Sequence, residues 1–223
     1  MFANPVLSCY SLQGVKKLRA GRYIRKKNKK SKKGKKVKRS AYNQDPLKFK
    51  WIRVKKTHLP QTWLQRDEQM DENDLVEYDY AVLVLKRSLG ADFMKVDISP
   101  KKQDLPRNQR IHFTAFNSDK KTPELMYRYC HVEEQSINIM YHYCDAVPGT
   151  SGAGVYIRLF DSENDSWDRR VIGVYSGSQW IDMGKDQPQK EYNTAVRITP
   201  LKYAQICFWT HGDYSKCKKP KTQ

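Results

Sequence analysis

A serine set between glycines is the feature of this sequence best suited to chemistry. Residues 144–155 run Cys-Asp-Ala-Val-Pro-Gly-Thr-Ser-Gly-Ala-Gly-Val and place Ser151 just after a Pro-Gly turn. Gly149 would let the backbone bend so that its own N–H and that of Ser151 face one spot, forming an oxyanion hole beside the hydroxyl. Such a segment also occurs in ordinary turns, so the elements around it must decide between the two interpretations.

Short apolar runs predict the strands that would hold this serine in place. Asp79 opens a continuous apolar run, 79–85, which is typical of a buried strand. Apolar residues alternate over 111–115 and again over 155–159. Further strands are predicted at 48–56, 170–176 and 192–198. Repeated short strands without long helical patterns predict an all-β chain, as an antiparallel barrel or sandwich.

One helix is indicated near the C-terminus. Thr199 can cap it, Pro200 suits its first position, and Gly212 can end it after the segment 201–209. Residues 60–76 are polar with several acids and predict a loop, and 98–109 contain prolines and charges typical of a linker.

Taken together, these segments resemble the trypsin/chymotrypsin-like serine protease family. The Ser151 segment is similar to the family's G-D-S-G-G nucleophile motif, and residues 79–83 resemble the D-I-A-L-L strand that supplies the triad Asp. Residues 172–177 resemble the strand lining the substrate groove, and 192–198 with the helix resemble the last strand and the C-terminal helix. The likeness extends from about Lys16 to Cys217, most of the chain.

The resemblance implies a double antiparallel β-barrel with an incomplete first barrel and a C-terminal helix. It implies an unstructured start at 1–14 and a partial N-terminal barrel at 15–109, which contains a Lys-rich loop, 22–44, and the linker. The C-terminal barrel and helix would then occupy 110–223.

The same resemblance assigns catalytic roles. Ser151 corresponds to the nucleophile, Asp79 to the acid that orients a His, and the N–H groups of Gly149 and Ser151 to the oxyanion donors. Asp145, Ser176 and Ser178 fall in the specificity pocket. Asp145 stands six residues before Ser151, where trypsin keeps an acid for Lys or Arg side chains, but it also fits a simple turn of the family. No cleavage preference follows.

The triad His has no counterpart in this sequence. The family carries it in an A-A-H-C segment ahead of the strand near Lys17, where residues 6–10 here are Val-Leu-Ser-Cys-Tyr, and no His precedes His58. We expect the chain to begin after that His and to be a serine endopeptidase homologue that is inactive as written. The five His are expected to be structural, with His58 as the one alternative candidate for the missing base: His58, His112, His131, His142 and His211. Thr150 stands where most relatives have the Asp that receives the new N-terminus on zymogen activation, so that salt bridge is not expected.

The five cysteines do not follow a metal-binding spacing, and we expect neither a metal nor another cofactor. They suggest two local disulfides, Cys130–Cys144 and Cys207–Cys217, with Cys9 left over. Buried free thiols of a cytosolic protein are the alternative. We favour disulfides, and the resemblance implies a secreted protein, although 1–12 make a poor signal peptide and no run is long enough to span a membrane.

The positive charge belongs to one segment. The formal net charge is +18, but residues 16–39 hold fifteen Lys and Arg and no acid, which leaves 27 basic against 24 acidic residues elsewhere. Such a run repels itself and predicts disorder. It is a solvated loop, a binding segment for heparan-type polysaccharide, or a site of cleavage or nuclear targeting. The polyanion-binding candidates are Lys26, Lys27, Lys29, Lys30, Lys32, Lys33, Lys35 and Lys36. No aromatic residue is interleaved with the lysines at 26–36, so specific nucleic-acid binding is not expected. If active, the protein would act on protein or peptide substrates.

Overall fold

The computed structural model describes residues 18–23, 49–66, 69–90, 93–105, 109–116, 125–184 and 187–217. These residues form two sheets and a C-terminal helix, which confirms the predicted all-β fold with an incomplete first barrel. The Lys-rich candidates 26–36 and Cys9 lie outside the described residues.

The first sheet has three antiparallel strands in chain order: β1 (Arg19–Tyr23), β2 (Phe49–His58) and β3 (Val82–Leu85). Ile52 on β2 is 2% exposed and Ala81, just before β3, is fully buried, so these strands have an apolar inner side. The sheet lies within residues 15–109, the range predicted for the partial first barrel.

The second sheet has eight strands, in the order β6-β5-β9-β10-β11-β8-β7, with β4 pairing β10 in parallel. The strands are β4 (Lys95–Val96), β5 (Ile111–Phe116), β6 (Leu125–Cys130), β7 (Val132–Gln135), β8 (Ile139–His142), β9 (Gly154–Asp161), β10 (Ser166–Ile181) and β11 (Lys190–Arg197). Phe113, Met140 and Ile172 form the centre of its core. Alternate apolar residues of β5 and β9 supply much of this core, as the sequence predicts.

The helix α3 (Pro200–His211) confirms its sequence signals. Thr199 accepts a hydrogen bond from the Lys202 N–H at its start, and Gly212 ends it with a φ of 70°, which glycine adopts without steric cost. The disulfide Cys207–Cys217 then fastens the following turn to the helix.

Two segments differ from the expectation. The prediction of a loop at 60–76 is wrong in part, because the short helices α1 (Gln61–Leu64) and α2 (Glu72–Leu75) lie there and bury Trp63 and Leu75. Part of the segment predicted as a linker is held firmly to the second sheet. The buried guanidinium of Arg197 donates hydrogen bonds to the carbonyls of Ser99 and Pro100, each at 3.2 Å.

Candidate active site

The Ser151 loop is shaped by its glycines and by Thr150. Gly149 and Gly152 have φ values of 98° and 83°, a region that side-chain-bearing residues avoid. Thr150 is 3% exposed, and its hydroxyl donates to the Val147 carbonyl at 2.7 Å, so it closes the turn from within. Thr150 therefore supports the loop through neutral hydrogen bonds.

Strand β10 holds this loop against the sheet. The Gly152 N–H donates to the Tyr175 carbonyl at 2.8 Å, and the Tyr175 N–H donates to the Ala153 carbonyl at 2.9 Å. The register of β10 against β11 shifts between Tyr175 and Gly177, so Ser176 is the extra residue of a β-bulge. A bulge changes the direction of the side chain and carbonyl of its extra residue, and this bulge turns the Ser176 carbonyl towards the Ser151 loop.

Ser176 contacts both predicted catalytic residues. The Ser151 hydroxyl donates to the Ser176 carbonyl oxygen at 2.8 Å. The Ser176 hydroxyl donates to the Asp79 carboxylate at 2.6 Å. The structure therefore brings Asp79 and Ser151 to two sides of one residue, 97 and 25 positions away from it in sequence. The family resemblance predicts Ser176 only in the specificity pocket, and its contacts with Asp79 and Ser151 appear only in the structure.

Asp79 is fully buried, and the C-terminal helix helps to position it. Its N–H donates to the Val76 carbonyl at 3.0 Å, and the neighbouring Tyr80 hydroxyl donates to Gln205 on α3. The Tyr80 ring also lies 6.0 Å from that of Trp209.

None of the five His hydrogen-bonds to Ser151 within the part of the chain that the structure describes, and all five are in that part. His58 stacks on Trp209 with ring centres 5.6 Å apart. Burial holds its pKa below the usual value. His131 and His211 are exposed.

The two remaining His lie on the second sheet, His142 in its core beside Phe113 and Tyr175 and His112 on its outer face. His142 is fully buried, its Nδ1 accepts from the Cys144 N–H at 3.2 Å, and burial lowers its pKa to about 4. His112 lies on β5, where a hydrogen bond of 2.7 Å joins its Nδ1 to the Tyr127 hydroxyl. Both are therefore neutral and structural at pH 7.

The predicted oxyanion donors are available to a ligand. Neither the Gly149 N–H nor the Ser151 N–H donates a hydrogen bond to another described residue. Both residues line a cleft of about 530 Å³ beside the Ser151 hydroxyl. An oxygen with developing negative charge would be stabilised by hydrogen bonds from these two donors.

The cleft contains one carboxylate that the sequence analysis does not single out. Glu191 lines it together with Ser178 and an aromatic wall. The tyrosines of that wall are Tyr143, Tyr175 and Tyr192. Burial and the charge of Glu191 raise the pKa of Tyr175 to about 12, so its hydroxyl stays protonated and donates to Asn193 at 2.7 Å.

Asp145 is not among the residues that line the cleft. Its side chain is 73% exposed and pairs with Arg128 at 3.0 Å. Ser176 contacts Asp79 and lines a neighbouring cavity of about 500 Å³, whereas Ser178 lines this cleft. Of the three residues predicted for the pocket, only Ser178 therefore lines this cleft.

The disulfide Cys130–Cys144 joins the end of β6 to the segment that leads into the Ser151 loop, and it confirms the predicted pairing, as does Cys207–Cys217. The Asn193 side-chain amide donates to the Cys144 carbonyl at 2.9 Å, which links the disulfide to the cleft. The ligand atoms of Cys130, His142 and Cys144 lie within 4.8 Å of one another. Both sulfurs are used in the disulfide, so this group does not fit a metal ion. No described helix is long and apolar enough to cross a membrane.

Known proteins resemble this chain in sequence and in fold. It is 43% identical over 209 residues to serine protease 23 of Mus musculus and of Homo sapiens, covering 93% of this chain and 52% of each of those proteins. It is 47% identical over 169 residues to inactive serine protease 35 of Bos taurus, covering 76% of this chain and 39% of that protein. The chain thus spans about half the length or less of these curated relatives. No protein-family model matches it.

A solved structure confirms the fold alone. A Glu endopeptidase, determined in complex with MPD, superposes with a TM-score of 0.52 at 13% identity, covering 74% of this chain and 66% of that one.

Proposed function

Because this chain is a trypsin-like serine protease homologue, we propose that it keeps the nucleophile, acid and oxyanion donors of a serine endopeptidase but does not hydrolyse peptide bonds as it stands. The observation that carries the proposal is the contact of the Ser151 hydroxyl with the Ser176 carbonyl. A carbonyl oxygen accepts the hydrogen bond but is too weak a base to take the proton. A serine hydroxyl stays a weak nucleophile until a base removes its proton.

In this proposal each site residue has one catalytic role. Ser151 is the nucleophile, Asp79 is the acid that would orient an imidazole, and the N–H groups of Gly149 and Ser151 are the oxyanion donors. The cleft beside them takes a side chain of a peptide, with Ser178 and Glu191 in contact with it. The two disulfides favour an oxidising compartment, and we propose that the protein is extracellular.

The expected loss of rate is large. Removing one member of a Ser-His-Asp triad lowers kcat by about four to six orders of magnitude, and the oxyanion hole preserves about 10³-fold acceleration over water. Hydrolysis by this chain should therefore fall below the detection limit of an ordinary peptidase assay.

The test is hydrolysis of a set of internally quenched peptides that vary at the residue before the cleaved bond. The chain and its Ser151→Ala variant are assayed side by side at neutral pH. We expect the two to give the same background. Cleavage by the chain that is lost in Ser151→Ala would show that a base is present and would refute the proposed inactivity.

A second function is proposed for the Lys-rich segment. Residues 16–39 hold fifteen basic residues without an acid, and such a density favours polyanions because binding releases their counterions. We propose that this segment, from Lys26 to Lys36, binds heparan-type polysaccharide independently of Ser151.

Heparin chromatography tests this second function. The chain should elute from a heparin column at a clearly higher salt concentration than a variant lacking residues 24–46. A matched variant that replaces the segment with an uncharged Gly-Ser linker of equal length separates charge from loop length. Elution that does not change on deletion would refute polysaccharide binding by this segment, whatever the outcome of the peptidase assay.

A further inference from the structure

One outer face of the second sheet carries arginines and exposed aromatic rings, away from the cleft. Its members are fixed by strand register: Tyr129 pairs with His112, His112 pairs with Tyr156, and Arg158 pairs with Arg169. Residues two apart on a strand share a face. The arginine–aromatic face is defined here by Arg110, Tyr127, Tyr129, Arg158, Trp167 and Arg169.

The three arginines of this face have no acidic partner among the described residues. The guanidinium of Arg110 lies 4.8 Å from the ring centre of Tyr129. Arg158 donates to the Tyr127 hydroxyl at 3.1 Å. Cation–π stacking holds such groups flat while leaving their outer N–H donors open to a ligand.

The acid nearest in sequence faces the other way. Asp168 lies between Trp167 and Arg169 on β10, so its side chain is on the opposite face, where it accepts from Arg170 at 2.7 Å. The field of the face is therefore positive. The neighbouring His112 reports this field, because burial and the charges of Arg158, Arg110 and Arg169 lower its pKa to about 4.

The rings of the face are open to solvent. Tyr127 is 41% exposed, Tyr129 51% and Trp167 66%. Tyr, Trp and Arg are the residues most enriched at the energetic centres of protein–protein interfaces. Carboxylates of a peptide can pair with the arginines while its apolar side chains pack on the rings, so the combination favours a protein partner.

We propose that the arginine–aromatic face binds an extended, acidic segment of a protein partner. Its carboxylates meet Arg110, Arg158 and Arg169, and its apolar side chains pack on Tyr129 and Trp167. The face shares no residue with the Ser151 cleft, so this binding does not depend on whether the chain cleaves peptides.

The probe is a fluorescein-labelled peptide of repeated Glu-Glu-Phe, titrated with the full chain near physiological ionic strength. Fluorescence anisotropy gives the affinity. The variant Arg110→Glu with Arg169→Glu reverses two exposed charges and spares the half-buried Arg158. Its matched control, Lys26→Glu with Lys27→Glu, makes the same charge change in the Lys-rich segment.

We expect the arginine variant to bind the peptide about tenfold more weakly, and the lysine control to change the affinity less than about twofold. Equal losses in both variants would mean nonspecific attraction and would overturn the proposal. So would a repeated Glu-Glu-Ser peptide that binds as tightly, since the rings would then contribute nothing. If a heparin fragment loses affinity in the arginine variant and the peptide does not, the face binds a polysaccharide and the proposal fails.

Discussion

Replacing Ser176 by alanine tests the contact that joins the two halves of the site. The substitution removes the hydroxyl that donates to the buried Asp79 carboxylate at 2.6 Å. It leaves the backbone carbonyl that accepts from Ser151 in place. The change is therefore confined to one hydrogen bond to a charged group.

The magnitude follows from the burial of both partners. Ser176 is 8% exposed and Asp79 is fully buried, so this hydrogen bond lies almost entirely out of solvent. Hydrogen bonds to charged groups contribute about 1.5–3 kcal/mol, and we expect Ser176→Ala to lower the free energy of unfolding by about 2 kcal/mol. Ser178→Ala, two residues along the same strand at an exposed position, should change it by less than about 0.5 kcal/mol.

Urea denaturation at pH 7 measures both variants, provided that the slope against denaturant concentration is unchanged. A double-mutant cycle with Asp79→Ala then isolates the pair, and we expect a coupling energy of about 1–2 kcal/mol. If Ser176→Ala costs no more than Ser178→Ala, or if the cycle gives no coupling, Asp79 is not held by Ser176 and the described site is wrong.

Three further outcomes follow from buried groups. The pKa of His142 is about 4, below its ordinary 6.5, so the unfolded chain takes up the proton first and stability is lost as the pH falls between these values. The free energy of unfolding should fall by about 3 kcal/mol over this pH range. Urea midpoints between pH 7 and pH 4 should depend less on pH in His142→Gln, whereas the exposed His211→Gln should leave the dependence unchanged. A methyl group added at Gly173 would lie 2.5 Å from Met140 Cε, so Gly173→Ala should lower the free energy of unfolding by about 1–3 kcal/mol, and a neutral result would show that the core there is looser than described. Arg197→Met should cost about 3 kcal/mol by urea denaturation, because buried carbonyls lose their donor, and a loss below about 1 kcal/mol would contradict this.

Features with local causes were predictable from the sequence. Thr199 and Gly212 bracket α3 because capping depends only on neighbouring residues. Alternation over 111–115 and 155–159 located β5 and β9 because side-chain direction alternates along a strand. The two disulfides close loops of 14 and 10 residues, which proximity in sequence already suggested.

Features with distant causes were not predictable. Asp145 lies at the surface and pairs with Arg128 on β6. No sequence pattern indicates that these two residues are neighbours. The segment at 99–100 is held by Arg197, almost a hundred residues later. Ser176 contacts Asp79 and Ser151 because a bulge turns it towards them, and the sequence of β10 shows no sign of that bulge. Glu191 also lines the cleft only because β11 folds beside the Ser151 loop, which its own sequence does not indicate.

The most direct test of the proposed inactivity is labelling by a fluorophosphonate probe, which needs an activated serine. The chain and Ser151→Ala are treated side by side, with trypsin as a positive control and thermal melting as a check that both are folded. We expect trypsin to be labelled, and neither the chain nor its Ser151→Ala variant to be labelled. Labelling of the chain that disappears in Ser151→Ala would mean that a base reaches Ser151 and would contradict the account, and His58→Gln would then show whether that base is His58.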